Sequence, residues 1–120
     1  MVKDPTSLVP ICPVEEITRE SGVTALVHGK AVAIFRTHAG EIYALSNYDP
    51  FSHASVLARG IVGTRTIAGA AVDFVASPMH KQAFDLRTGR CLDDASVCVA
   101  TYDVVIADGM VLVGGAKGAG

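Results

Sequence analysis

The side chains best able to do chemistry in this 120-residue chain fall in two short stretches. One is Asn47-Tyr48-Asp49-Pro50-Phe51-Ser52-His53, and the other is Ser77-Pro78-Met79-His80-Lys81-Gln82. His53, His80 and Asp49 together would offer two imidazoles and a carboxylate, the ligand set of a mononuclear iron site. That reading needs both stretches folded against each other, and His53 falls on a turn whose course the sequence leaves undefined. His80 alone, beside Lys81, cannot hold an ion, because a metal site needs several converging ligands. The expectation is therefore a solvated imidazole and no metal. Nucleophilic catalysis has no G-x-S-x-G and no convincing Cys/His set to rest on. There is no P-loop and no G-x-G-x-x-G, so no nucleotide site of a known kind. The chain is expected to have no catalytic residue and no cofactor of its own.

Composition bounds what can position these stretches. At 120 residues the chain is one domain, long enough to bury a core without staples. Half of it is hydrophobic and only 18% charged, which makes it globular rather than disordered. The net charge is -2, with no Lys/Arg cluster longer than a pair, so no basic face is available to neutralise nucleic-acid phosphates. No window approaches the ~20 apolar residues of a spanning helix, which argues against a membrane. Cys12, Cys91 and Cys98 are odd in number and widely spaced, and they read as reduced thiols in a cytoplasm.

The elements are short strands separated by turn residues. Leu8 to Cys12 is a first strand, stopped by Pro13, and Val14 to Ile17 makes one helical turn. Val23 to His28 and Lys30 to Arg36 alternate around Gly29 as a hairpin, and Ile42 to Leu45 extends the meander. Ser52 to Ala58 is read as a short helix, and Thr64 to Ala70 as a small-residue connection of undefined structure. Ala71 to Ala76 delivers the Ser77-Pro78 loop. Ala83 to Leu86 and Arg90 to Leu92 flank a turn at Thr88-Gly89. Val97 to Ala100, Val104 to Ala107 and Met110 to Val113 close the domain, the last two joined by Asp108-Gly109. The reading is all-β, an antiparallel sandwich or barrel with at most one or two helical turns. Residues 1–7 form an N-terminal extension, 8–113 the domain and 114–120 a flexible Gly/Ala tail.

The S-P-x-H loop followed by Phe84-Asp85-Leu86-Arg87-Thr88-Gly89 resembles the second cluster-binding loop of a Rieske iron–sulfur domain. Such a domain ligates its cluster with C-x-H in one loop and C-x-x-H in the next. The resemblance puts Asp49 and Phe51 at the first pair of positions, and Ser77 and His80 at the second. Phe51 cannot coordinate, and a serine hydroxyl is far too weakly acidic to replace a thiolate. Asp49 offers hard oxygen where iron–sulfur chemistry wants soft sulfur. A narrower likeness runs through Asn47 to Ser52, Arg59-Gly60-Ile61-Val62-Gly63, Ser77 to Phe84 and Leu86 to Asp94. It is to the small subunit of assimilatory NAD(P)H-dependent nitrite reductase, a Rieske-like domain of stacked antiparallel sheets lacking the cluster ligands. That resemblance implies a non-catalytic, cytoplasmic subunit of an oxidoreductase that reduces nitrite to ammonium in nitrate assimilation. Its implied partner is a large subunit carrying FAD, an iron–sulfur cluster and sirohaem. His53, where the family has a small residue, and the Thr64 to Ala71 connection depart from the family pattern.

Three function classes follow: this small subunit, a Rieske-type ferredoxin carrying electrons to an oxygenase, and an interaction module unrelated to nitrite. Asp49-Pro50 reads as a structural pair, since Asp side chains bond backbone N–H groups two residues on. Phe51 and Met79 either fill the space of the missing cluster or protrude together as an apolar tip. With His80 and Lys81 they are the expected partner surface. Lys81, Arg59 and Arg87 read as solvated charges before contacts to acidic groups or a nicotinamide phosphate.

Overall fold

The computed structural model describes residues 7–79 and 81–117. Eleven strands follow one another: β1 (Val9–Pro13), β2 (Ser21–Val27), β3 (Lys30–Arg36), β4 (Ile42–Ser46), β5 (Tyr48–Asp49) and β6 (Ala54–Ser55). β7 (Ile61–Ile67), β8 (Ala70–Ala76), β9 (Ala83–Asp85), β10 (Thr101–Ala107) and β11 (Met110–Lys117) complete the set. They form a six-stranded sheet in the order β1-β11-β10-β4-β3-β2, a three-stranded sheet β7-β8-β9, and the small pair β5-β6. All pairings are antiparallel. Among the described residues no helix is long and apolar enough to cross a membrane.

β3 shows how the sequence builds two cores at once. Val32, Ala33, Ile34 and Phe35 are all fully buried, and strand alternation sends them to opposite faces. Val32 and Ile34 join Ile17, Ala44, Val111 and Val113 in one cluster. Ala33 and Phe35 join Leu45, Leu57, Val75, Phe84 and Leu86 in the other, between the two larger sheets. The second cluster stands beneath the loops of interest and anchors β8 and β9, which carry one of them.

Three two-residue turns share one backbone shape. His28-Gly29, Ala68-Gly69 and Asp108-Gly109 all have positive φ at both residues, between 50° and 82°. That is the type I′ geometry whose twist matches antiparallel strands. The first and third stand where the sequence predicts hairpins. The second turns the Thr64 to Ala70 connection into the end of the β7–β8 hairpin, because alanine conceals a turn that Asn or Asp would advertise.

Other differences have local causes. Val14–Glu16 is a single 3-10 turn, as expected of that stretch. The helix expected over Ser52 to Ala58 is replaced by β6 and a 3-10 turn at Leu57–Arg59. Asn47 is responsible in part: its side-chain oxygen accepts the Ala58 N–H at 2.8 Å, and its carbonyl accepts the Leu57 N–H at 3.0 Å. Val97 to Ala100 forms no strand, only a bridge between Arg90 and Cys98. Here Val99 donates its N–H to the Gly89 carbonyl, and a Cβ on Gly89 would stand 2.1 Å from the Val99 oxygen. The tail expected from residue 114 is instead strand as far as Lys117, because β10 begins at Thr101 and supplies partners for Ala116 and Lys117. Gly114 and Gly115 are buried within it. Most of the expected N-terminal extension, residues 1–6, and the last three tail residues lie outside the described residues.

Candidate functional site

The two stretches do fold together, at one end of the three-stranded sheet. The first is a turn between β5 and β6, closed by the His53 N–H donating to the Asp49 carbonyl at 2.8 Å. The second is a loop with its neck at Ser77 and Gln82, where the Ser77 N–H donates to the Gln82 carbonyl at 2.9 Å. Within it the Lys81 N–H reaches back to the Ser77 carbonyl at 3.0 Å.

A side-chain bond ties the loops to each other. The Ser77 hydroxyl donates to Asp49 Oδ2 at 2.5 Å, and both residues are buried. The Ser52 hydroxyl donates to the same oxygen at 2.9 Å. The Phe51 N–H donates to Asp49 Oδ1 at 2.9 Å, the local bond expected of an Asp-Pro turn. Ser77 Oγ in turn accepts the Met79 N–H at 3.2 Å. Burial acts to raise the Asp49 pKa, but the donors from Ser77, Phe51 and Ser52 outweigh it and hold the carboxyl below its ordinary value. The result is a buried carboxylate with three named donors.

This geometry decides the fit to a [2Fe–2S] cluster. The positions that the Rieske resemblance assigns to two thiolates on one iron hold a carboxylate and a hydroxyl bonded directly to each other. No space for an iron remains between their oxygens at that distance. Phe51, at a histidine position, is half-buried and tilted against Phe84, with ring centroids 6.1 Å apart. A phenyl ring has no donor atom, and this one packs on the core. The residues present do not fit the cluster. Nor do they fit a mononuclear site: His53 is exposed, with Nδ1 2.9 Å from the Tyr48 hydroxyl, and Asp49 has both oxygens engaged. Among the described residues no group of three or more His, Cys, Asp or Glu side chains is placed to hold a metal ion. His80, which the resemblance puts at the fourth cluster position, lies outside the described residues. Iron analysis of protein purified without a histidine tag is expected to find far less than one iron per chain. A stoichiometric amount would overturn this account of the loops.

The expected partner surface divides. Met79 is 59% exposed, with Pro78 and Lys81 exposed beside it, whereas Phe51 turns inward. Thus neither sequence alternative holds for the pair: one residue fills the space beneath the loops and the other forms the tip. Tyr48, 43% exposed and bonded to His53, adds an aromatic that sequence reasoning missed as a surface group. Its signal was the alternation along β5, where burying Asp49 turns its neighbour outward. Arg59 and Arg87 are exposed. The cysteines are free, with Cys91 buried in the core and Cys12 raised in pKa by burial and by Glu16, which suits inert thiols.

Comparison with known proteins places this arrangement among relatives. Residues 7–114 match the family model described as a Rieske-like [2Fe-2S] domain. The nitrite reductase (NADH) small subunit of Salmonella typhimurium is 42% identical over 106 residues, which are 88% of this chain and 94% of that protein. The NMR structure of the Escherichia coli protein NirD superimposes with a TM-score of 0.79 at 37% identity, covering 95% of this chain and 99% of that one. The nitrite reductase [NAD(P)H] large subunit of Klebsiella oxytoca is 36% identical over 104 residues, 87% of this chain but 10% of that protein.

Proposed function

Because the chain belongs to the family of nitrite reductase (NADH) small subunits, built on a Rieske-like domain, we propose that it docks on a nitrite reductase large subunit and supports its activity without doing redox chemistry itself. The observation that carries the partnership is the Klebsiella oxytoca large subunit, in which a segment like this chain is part of the large polypeptide. A domain found both as a separate subunit and within its partner's chain works against that partner. Covalent linkage raises its effective concentration there, and a docking surface does the same for a separate chain.

The contribution of this chain is one of shape. Asp49 and Ser77 hold the two loops at a fixed spacing, and that spacing presents Met79, Pro78 and Lys81 as one rim. An exposed thioether between a proline and a lysine suits a shallow apolar depression edged by carboxylates on the partner. Phe51 supports this tip from below. In this reading FAD, an iron–sulfur cluster and sirohaem reside in the large subunit, the complex acts in the cytoplasm, and electrons pass from NAD(P)H to nitrite without crossing this chain. A ferredoxin-type carrier would need the cluster that Asp49, Phe51 and Ser77 do not fit.

Nitrite-dependent oxidation of NADH by the purified large subunit, with and without this chain, tests the reading. Addition is expected to raise the rate several-fold and to saturate at a fixed subunit ratio. No change in rate together with no co-migration of the two chains would sink it.

A further inference from the structure

The segment from Leu57 to Ile61 braces one side of the loop that carries Met79. The Leu57 N–H donates to the Asn47 carbonyl at 3.0 Å and the Ala58 N–H to the Asn47 side-chain oxygen at 2.8 Å, which ties the segment to the first loop. Ile61 pairs with Ala76, the residue before Ser77, so the segment also runs beside the root of the second loop. Gly60 makes the close approach possible, since a Cβ there would collide with the Ala76 carbonyl oxygen. Arg59 and Ile61 are therefore presented on fixed backbone, without an ordering cost on binding.

Both side chains face solvent. Ile61 is 74% exposed, more than any other large apolar side chain among the described residues, because its neighbour Val62 turns into the core. Arg59 is exposed and makes no salt bridge or side-chain hydrogen bond among the described residues. Its charge is reinforced rather than balanced locally. Residues 48–61 and 77–82 hold one carboxylate, Asp49, which is buried and engaged by the loops' own donors, whereas Arg59 and Lys81 are exposed cations. The whole chain has 12 acidic against 10 basic residues, so a positive end stands on a net-negative molecule. Asp93, which packs nearby at Ala83, accepts the Ala83 N–H at 2.8 Å and lies 4.0 Å from Arg65, so it is held by other partners.

We propose that the docking face continues from the Met79 loop across Leu57–Ile61, with Ile61 seated on an apolar part of the large subunit and Arg59 paired with a carboxylate beside it. This rests on the docking reading above and adds the side of the tip against which the partner lies. A guanidinium matches a carboxylate in two parallel hydrogen bonds, and an exposed aliphatic next to it supplies the apolar contact of an interface. The matching surface of the large subunit is acidic around an apolar centre, and association is steered by charge and weakened by salt.

Titration of the labelled full chain with the purified large subunit, between about 50 and 500 mM NaCl, tests the proposal. Arg59→Glu is expected to weaken binding about 10-fold at low salt and to flatten its salt dependence. Ile61→Asp is expected to weaken it about 10-fold at every salt concentration. Both alter side chains already in solvent and are expected to keep the wild-type circular dichroism. Should Ile61→Asp fail to fold, Arg59→Glu decides alone. Ile106 is the control: it is 48% exposed, on the part of β10 beyond its pairing with β4, and Ile106→Asp is expected to bind as wild type. Wild-type affinity and salt dependence in Arg59→Glu, or a loss in Ile106→Asp equal to that in Ile61→Asp, overturns the proposal. If Met79→Asp weakens binding in the same assay while Arg59→Glu and Ile61→Asp do not, the docking reading stands and this extension of it falls. Absence of binding by the wild-type chain overturns both.

Discussion

Replacing Asp49 with alanine is expected to lower the unfolding free energy by about 3 kcal/mol, because three donors lose their acceptor at once. The Phe51 N–H, the Ser52 hydroxyl and the buried Ser77 hydroxyl converge on this carboxylate, and a methyl group replaces none of those bonds. Asparagine keeps the volume and one acceptor, so Asp49→Asn is expected to cost less, about 1–2 kcal/mol. The two variants also differ from wild type in how stability depends on pH. The Asp49 carboxyl is held below its ordinary value in the folded state. Its contribution is therefore fully present above the unfolded carboxyl pKa of about 3.9, and is lost as pH falls through the lower folded value. Urea unfolding from pH 7 down to the acid limit measures this. The gap between wild type and Asp49→Asn is expected to be constant above about pH 5 and to shrink below pH 4. A gap that widens toward acid would mean that the folded state binds the proton more tightly than the unfolded one, contrary to the donor arrangement.

Changing Met79 to aspartate is expected to weaken large-subunit binding by about 10- to 100-fold, the range of a moderate to strong interface residue. Folding should be untouched, within about 0.5 kcal/mol, because the side chain is already in solvent. Phe51→Asp should do the reverse in its primary effect. It places a carboxylate against Phe84 and the core cluster, at a cost of about 3 kcal/mol in stability. The two variants, one from each loop, thus separate support from contact. Titration of labelled chain with the large subunit, alongside thermal unfolding, reads both quantities. Wild-type affinity for Met79→Asp would remove the loop tip from the interface and require the docking surface to be sought elsewhere on the sheets.

The Met79 result depends on an exposure that the sequence alone left open, and the same is true of Phe51. Both are apolar residues next to a proline in a loop, and local pattern treats them alike. Their fates differ because Phe84, delivered by β9, lies under one loop and nothing described lies over the other. Burial depends on contacts distant in the chain, and residue type does not carry that information. The hairpin of β7 and β8 was hidden for a related reason. Ala68 accepts a positive φ without being a residue that announces one, so a regular element looked like a featureless connection.

What the residues determined unaided was the chemistry that the loops lack. Phenylalanine has no donor atom, serine no accessible anion, and aspartate no sulfur, wherever the chain places them. Alternation, together with Gly29 and Asp108-Gly109, likewise committed most of the chain to antiparallel strands. Only the tertiary structure decided what replaced the cluster. Asp49 and Ser77 are 28 residues apart, and either one read alone is a polar loop residue. The fold brings them together in a buried neck, where low polarity makes an unpaired carboxylate costly and a hydroxyl donor the means of satisfying it. That enclosure turns two missing ligands into the bond that holds the loops at their spacing.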